Sequence, residues 1–320
     1  MIRAGIIGGA GYTAGELIRI LVNHPQTELA FVHSESNAGN PICEVHAGLY
    51  GDTGMKFCDS FDLSGIDVLF MCSAHGRSRG FWTEHECPAG LKIIDMAQDF
   101  RDESDGYVYG LPEMQRERIR RSDKTANPGC FATAIQLALL PLAGAGLLHD
   151  EIEVTAVTGS TGAGAKPGPT THFSWRNDNV SAYKTFTHQH LEEIERNLRT
   201  MQKGFSPAIN FIPMRGGFAR GIFATVHTVC PLSAAEAEKL YADYYSDAAF
   251  THTIGRPVDL KQVVNTNKCI ITTEKHGDRL VVFSVIDNLL KGASGQAVQN
   301  MNLMFGLPED TGLKLKASAF

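Results

Sequence analysis

The residues best suited to chemistry lie in the run Asn127-Pro128-Gly129-Cys130-Phe131-Ala132-Thr133-Ala134. A thiol is a nucleophile only as its thiolate, and the positive end of a helix dipole favours that anion. An apolar helical stretch, Ala132 to Leu140, begins directly after Cys130, and Pro128 and Gly129 give the sharp turn that would expose it. Strand-like surroundings make Cys72 and Cys230 inert apolar residues instead. A nucleophilic cysteine also needs an acid–base group. His188-Gln189-His190 stands before a helix whose first turn carries Glu192 and Glu193, and histidine titrates near neutral pH. Spacing alone does not separate the roles of the two histidines. A thiol and an imidazole of this kind suit acyl transfer through a thioester.

A second chemistry is written near the N-terminus. The strand-like Ile2–Ile7 runs into Gly8-Gly9-Ala10-Gly11-Tyr12-Thr13-Ala14-Gly15, with the spacing Gly8-x-x-Gly11-x-x-Ala14. Glycines there remove side chains that would block a pyrophosphate, and the helix that follows offers free N–H groups. The pattern is a variant of the dinucleotide fingerprint. The next strand ends at His33-Ser34-Glu35-Ser36-Asn37. Glu35 suits the ribose hydroxyls of NAD, whereas Ser34, Ser36 and Asn37 suit a 2′-phosphate, so these residues leave NAD and NADP open. Two further loops are candidates. Thr158-Gly159-Ser160-Thr161-Gly162-Ala163-Gly164 offers backbone N–H groups to an anion, and Arg215 and Arg220 lie amid glycines where a guanidinium can grip a phosphate or carboxylate.

The elements that must position these residues follow from the hydrophobic pattern. In the first third, strand-like runs at Ile2–Ile7, Leu29–His33, Asp67–Ser73 and Lys92–Met96 alternate with helical segments such as Ala14–Asn23. That alternation predicts a parallel sheet with crossover helices. Beyond Cys130, longer strands are expected at Glu151–Thr158, Ala208–Ile212, Gly221–Cys230, Lys268–Thr273 and Arg279–Ile286, with helices at Leu191–Met201 and Ala234–Tyr245. They alternate less, which predicts a mixed or antiparallel sheet. The last helix, Ala293–Phe305, is expected to pack back on the first domain. The fold class is therefore α/β, a Rossmann-type dinucleotide-binding domain plus an α+β catalytic domain.

Composition narrows the function. The 320 residues carry a net charge of −6, which gives no basic surface for nucleic acid. Seven scattered cysteines without a Cys-x-x-Cys pair predict reduced thiols rather than a disulfide framework or zinc site. No apolar run approaches the roughly 18 residues of a membrane helix, and no leader pattern precedes Ile2. A cytoplasmic enzyme with no metal, no membrane and no nucleic-acid partner is expected.

Together the segments Gly8–Leu17, Asp95–Arg101, Asn127–Ala134, Thr158–Gly164, Thr187–Ile194, Phe211–Ile222 and Asp287–Gln299 resemble the N-acetyl-gamma-glutamyl-phosphate reductase family of arginine biosynthesis, related to aspartate-semialdehyde dehydrogenase. They span nearly the whole chain in the family's order, and the NPGC and DNLLKGASGQAVQ stretches are the specific ones. The resemblance implies NADP(H) as cofactor, a small acyl-phosphate substrate, and a homodimer or homotetramer. It places residues 1–129 and 292–320 in the NADP-binding domain and 130–291 in the catalytic and oligomerisation domain. It marks Cys130 as nucleophile and His190 as its acid–base partner. Gly8, Gly11, Tyr12, Thr13, Ala14, Ser34, Ser36, Ser160, Gly162 and Asn288 become cofactor candidates. Asn127, Arg101, His188, Arg215 and Arg220 become substrate candidates. The position of Arg215 usually holds an apolar residue in the family, which leaves the acyl group, acetyl or succinyl, open. An aspartate-semialdehyde dehydrogenase-like reductase and a non-catalytic NADP(H)-binding regulator are the rival readings.

Overall fold

The computed structural model describes residues 1–318. The chain divides into two compact units, one made of Met1–Pro128 with Ala293–Lys314, the other of Gly129–Gly292 with residues 315–318. The expected range 292–320 therefore differs at its end. Residues 315–318 group with the second unit, where the Ser318 N–H donates to the Val264 carbonyl, and residues 319–320 lie outside the described residues.

In the first unit, β1 (Ile2–Ile7), β2 (Thr27–His33), β3 (Val68–Met71), β4 (Lys92–Asp95), β5 (Val108–Tyr109) and β6 (Lys124–Ala126) form a six-stranded sheet in the order β2-β1-β3-β4-β6-β5. Its pairings are parallel. All four residues of β3 are buried, as a strand covered on both faces requires. Helices α1 (Tyr12–Leu21), α2 (Ile42–Val45), α3 (Ser78–Glu84) and α4 (Pro112–Arg120) connect these strands. The strand order reverses between β1 and β3, and a ligand crevice in such sheets lies outside the strand ends at that reversal. The turn after β1 is the glycine-rich one. Helix α1 begins two residues before the expected Ala14, because Gly11, extended at φ −79° and ψ 163°, serves as its N-cap.

The second unit is built on a seven-stranded mixed sheet, β7 (Ile152–Thr158), β8 (Ser181–Ala182), β9 (Ile209–Arg215), β10 (Ile222–Val229), β11 (Thr251–Thr253), β12 (Cys269–His276) and β13 (Arg279–Ile286), in the order β11-β12-β13-β10-β7-β9-β8. Strand β10 alternates buried and half-buried residues along its length, the period-2 signature of a sheet packed on one face. Helix α5 (Cys130–Gly144) packs on that sheet, and Phe131 to Ala143 are buried without interruption. A helix apolar all round belongs in a core. Pro141 lacks the N–H that would bond Leu137, and the Tyr245 hydroxyl donates to the Leu137 carbonyl instead. The short α6 (Phe173–Arg176), α7 (His190–Met201) and α8 (Ala234–Tyr244) complete this unit. Strand β9 runs three residues past the expected Ile212, through Pro213, so Arg215 ends a strand instead of sitting in a loop.

A π-helical turn, Leu290–Ser294, leads into α9 (Gly295–Met304), which returns to the first unit and packs on α1, α4 and β4. All ten of its residues are buried although the sequence is rich in amides. The amide nitrogens of its two asparagines are tied. Asn300 Nδ2 donates to the Gly110 carbonyl at 2.9 Å and to Asn127 Oδ1 at 3.1 Å, and Asn302 Nδ2 donates to the carbonyls of Glu309 and Thr311 at 3.0 and 2.9 Å. Buried polar groups with partners do not carry the penalty of orphaned ones.

Candidate active site

The glycine turn of the first unit is shaped by close approach. Gly8 has φ +83°, and a Cβ there would lie 2.8 Å from the Cys72 carbonyl oxygen after β3. Only glycine fits both constraints. Gly9 donates to the His33 carbonyl at 2.8 Å, and His46 Nε2 bonds the Gly9 carbonyl at 2.7 Å. Gly11 differs from its neighbours, since nothing lies within 4 Å of where its Cβ would be. Its missing side chain leaves open space at the N-terminus of α1, beside Tyr12, Thr13 and Ala14, where a pyrophosphate fits. Ser294 Oγ donates to the Thr13 carbonyl at 2.7 Å and fixes that first turn. At the end of β2, Asn37 Nδ2 donates to both Ser34 Oγ (3.4 Å) and Ser36 Oγ (3.0 Å). Each hydroxyl thus accepts from Asn37 and keeps its own hydrogen to donate. Glu35 is exposed.

Two expected substrate residues turn inward within this unit. Arg101 is buried, and its Nε donates to the Asn127 carbonyl at 2.9 Å. Asn127 is buried too. Its Nδ2 donates to the Ala293 carbonyl at 3.0 Å, and its Oδ1 accepts from Asn300. Both hold the segment that leads to Pro128, rather than presenting a free polar group. Asp95, at the end of β4, is fully buried, accepts from the Ala97 N–H at 2.6 Å, and is pushed up to about 6 by burial.

The thiol of the second unit sits where the sequence placed it. Cys130 is the first residue of α5, with extended Gly129 as N-cap. The His190 ring lies directly over that N-cap, because a Cβ on Gly129 would fall 2.3 Å from His190 Nε2. A Cβ on Gly292 would fall 2.9 Å from Cys130 Cβ, so two glycines give the cysteine its room. His190 opens α7, and its backbone N–H donates to His188 Nδ1 at 3.3 Å. The two rings are 4.6 Å apart, edge to face. Phe131, Phe211 and Tyr183 also pack against His188. Burial in that apolar surround, then the charges of Lys184 and Arg215, lower His188 to about 4. The Arg215 guanidinium stacks over Tyr183, 4.3 Å from its ring centre. Burial and the neighbouring Cys130 push the Tyr183 phenol up to about 12, with Arg215 opposing.

The remaining loops of this unit are held from within. Asp287 is fully buried and takes Arg220 Nε at 3.0 Å and the backbone N–H groups of Asn265 and Leu289 at 2.7 and 2.8 Å. The carboxylate expected to pair with Arg220 is thus one of the chain's own. Asn288 Oδ1 accepts from the Gly221 N–H at 2.7 Å, and its Nδ2 donates to Thr161 Oγ1 at 3.0 Å. Four N–H groups of the Thr158–Gly164 loop already have partners within the chain. The N–H groups of Gly159, Ser160, Thr161 and Gly162 donate to the carbonyls of Gly221, Phe218, Ala219 and Gly159. Sequence reading missed Tyr183, which carries no motif of its own, and gave no role to Asp287 and Gly292 although both lie in the DNLLKGASGQAVQ stretch. The signal for Glu193, whose carboxylate accepts from the Gly129 N–H at 3.1 Å, was present, three residues after His190 on one helix face.

A doubly wound unit with a glycine turn at its strand reversal, and a mixed-sheet unit with a thiol at a helix N-terminus, define the class of the semialdehyde dehydrogenases. Residues 3–122 match that family's NAD binding domain and residues 130–288 its dimerisation domain. The N-acetyl-gamma-glutamyl-phosphate reductases of Phocaeicola vulgatus and Bacteroides thetaiotaomicron are 59% and 57% identical to this chain over the full length of both partners. The chain belongs to the N-acetyl-gamma-glutamyl-phosphate reductase family. Among solved structures, aspartate semialdehyde dehydrogenase II from Vibrio cholerae matches with a TM-score of 0.76 at 19% identity, covering 96% of this chain and 98% of that one. The aspartate semialdehyde dehydrogenase with NADP from Candida albicans matches at 0.71 and 14%, covering 95% and 98%. These two likenesses concern the fold.

Proposed function

We propose that this chain reduces an N-acyl-gamma-glutamyl phosphate to the N-acylglutamate 5-semialdehyde with release of phosphate, a step of arginine biosynthesis. The observation that carries the reading is the Cys130 thiol at the first position of α5 with the His190 ring over its N-cap. Cys130 attacks the acyl carbon, the bond to the phosphate oxygen breaks, and inorganic phosphate leaves. The thioester so formed is a better hydride acceptor than a carboxylate. Bound NADPH supplies the hydride. His190 gives a proton to the resulting oxyanion and takes it back as the carbon–sulfur bond breaks and the semialdehyde departs. His188, held neutral by burial, is suited to orienting His190 and ill suited to taking a proton near neutral pH.

The glycine turn, the open space at Gly11 and the paired hydroxyls of Ser34 and Ser36 support NADP(H) as the cofactor. Arg101, Asn127, Arg220 and Asn288 act in this proposal by holding loops. Relatives named for the glutamyl substrate favour it over the aspartyl one. The family's dimerisation domain, with Phe173, Trp175, Val180 and Phe186 all exposed in one segment of this unit, supports a homodimer or homotetramer. Seven free cysteines support a reducing, cytoplasmic setting, and no helix among the described residues is long and apolar enough to cross a membrane.

Arg215 favours a second reading of the acyl group. Its Nε is buried without a hydrogen-bond partner among the described residues, although the cation stacks on Tyr183. A terminal carboxylate on the acyl arm, as in an N-succinyl substrate, would complete the guanidinium. Phosphate-dependent oxidation of N-acetylglutamate, N-succinylglutamate and aspartate semialdehydes, on wild type and Arg215→Leu, tests both readings. The glutamyl semialdehydes should turn over and the aspartyl one should not. A succinyl preference that Arg215→Leu removes establishes the second reading, and unchanged kinetics in Arg215→Leu end it. Turnover of the aspartyl compound alone would overturn the glutamyl assignment.

A further inference from the structure

His46 lies outside the glycine turn in sequence and grips it in space. It is the C-cap of α2, in the excursion of residues 38–57 that leaves the end of β2. The excursion returns at Cys58, whose N–H donates to the Val32 carbonyl at 3.0 Å, and buried Ile42 and Leu49 anchor it on either side of His46. The ring reaches the turn at two points. Nε2 lies 2.7 Å from the Gly9 carbonyl oxygen. A carbonyl only accepts, so Nε2 carries the hydrogen. A Cβ on Gly15, in the first turn of α1, would fall 2.5 Å from His46 Nδ1. We propose that His46 is a positioning residue for the cofactor, which locks the Gly9–Ala10 peptide so that the Ala10 N–H is presented to the pyrophosphate, and that position 15 is glycine to admit its ring.

In a trans peptide the C=O and the N–H point in opposite directions. Holding the Gly9 carbonyl on the His46 side therefore turns the Ala10 N–H to the other side. That N–H has no partner among the described residues, and it stands one residue before the open space at Gly11. Glycine resists a flip of the adjoining peptide less than any other residue does. Such a flip would aim a carbonyl where the N–H had been, and a carbonyl repels the anion that an N–H attracts. A hydrogen bond to the Gly9 carbonyl opposes it. Gly15 points the same way. Glycine is disfavoured inside a helix, so its place in α1 calls for a reason, and the imidazole pressed against it supplies one. Ile42 and Leu49 already provide the excursion with apolar anchors, which leaves the polar ring for this second task.

The inference rests on the NADP(H) reading above, and the test separates the two. The probes are NADPH and adenosine 2′-monophosphate, which lacks the pyrophosphate, each titrated calorimetrically into the full chain. His46→Leu keeps apolar bulk and removes the donor. It should raise Kd for NADPH by roughly 10-fold or more, the worth of a hydrogen bond to a charged group, and leave Kd for adenosine 2′-monophosphate unchanged. In turnover, KM for NADPH should rise far more than kcat falls. His46→Gln, whose amide can donate to the same carbonyl, should recover most of the affinity. Gly15→Ala should reproduce the loss by displacing the ring, and adding it to His46→Leu should cost little more. A wild-type Kd for NADPH in His46→Leu overturns the proposal, as does an equal loss for both probes, which marks a general loosening. Should His46→Leu lower Tm, equal losses of NADPH affinity in the Leu and Gln variants overturn it too. A wild-type protein that binds no NADPH overturns the cofactor reading itself, and the proposal with it.

Discussion

At the scale of single residues, the two histidines are two positions apart in number and distinct in surroundings. His190 lies over Gly129, at the head of the Cys130 helix, whereas His188 is enclosed by Phe131, Phe211 and Tyr183. His190→Asn should lower kcat by roughly 10²–10⁴-fold, the worth of a positioned acid–base group, and His188→Asn should cost less. The reverse ranking from steady-state kinetics would exchange their roles. His188 also leaves a mark on stability. Its ordinary value of 6.5 applies in the unfolded chain, and burial lowers it to about 4 in the fold. The unfolded chain therefore binds a proton that the fold resists, so this contribution is complete above about pH 6.5 and is lost as pH falls toward 4. Thermal unfolding of His188→Asn should show a shallower loss of Tm across that window than wild type. Parallel slopes would contradict the assignment.

At the scale of elements, the sequence carried those parts whose signal is local. The run from β1 through the glycine turn to α1 was legible because a buried strand, a positive-φ glycine and a helix start each leave a mark in sequence. So was α5, whose apolar run begins at the cysteine. The pairing of elements was not legible. Arg101 and Arg220 read as substrate candidates, yet the partners they have within the chain, the Asn127 carbonyl and Asp287, are 26 and 67 positions away. Pro213 ended the expected strand early, since proline lacks the ladder N–H, but β9 continues through it to Arg215. The Thr158–Gly164 loop looked like an anion site because glycine-rich loops often are, and the N–H groups of Gly159, Ser160 and Thr161 are used by contacts with residues 218–221. The element at the end of β2 carries its own prediction. The hydroxyls of Ser34 and Ser36 remain able to donate, and Glu35 is exposed, so kcat/KM should favour NADPH over NADH. Ser34→Ala with Ser36→Ala should narrow that preference by raising KM for NADPH alone. An NADH preference in wild type would refute the assignment.

At the scale of the whole molecule, the proposed chemistry draws on two units between which the chain crosses three times, at Pro128–Gly129, Gly292–Ala293 and Lys314–Leu315. The first two crossings adjoin Cys130, since Gly129 caps its helix and Gly292 packs against it. In the proposed function the first unit supplies a dinucleotide turn and the second a thiol with its acid–base neighbour. Such a division lets acylation and reduction be separated in time, because the thioester can form before any hydride is delivered. The central claim is that the acyl group passes through Cys130. It is tested most directly by mixing the enzyme with the acyl phosphate in the absence of NADPH, quenching in acid, and measuring peptide masses. The account predicts one acyl adduct, on the peptide bearing Cys130, that disappears when NADPH is added before the quench and never forms in Cys130→Ala. An adduct-free Cys130 in an enzyme that releases phosphate and turns over normally, or an adduct on another residue that NADPH discharges, would contradict it.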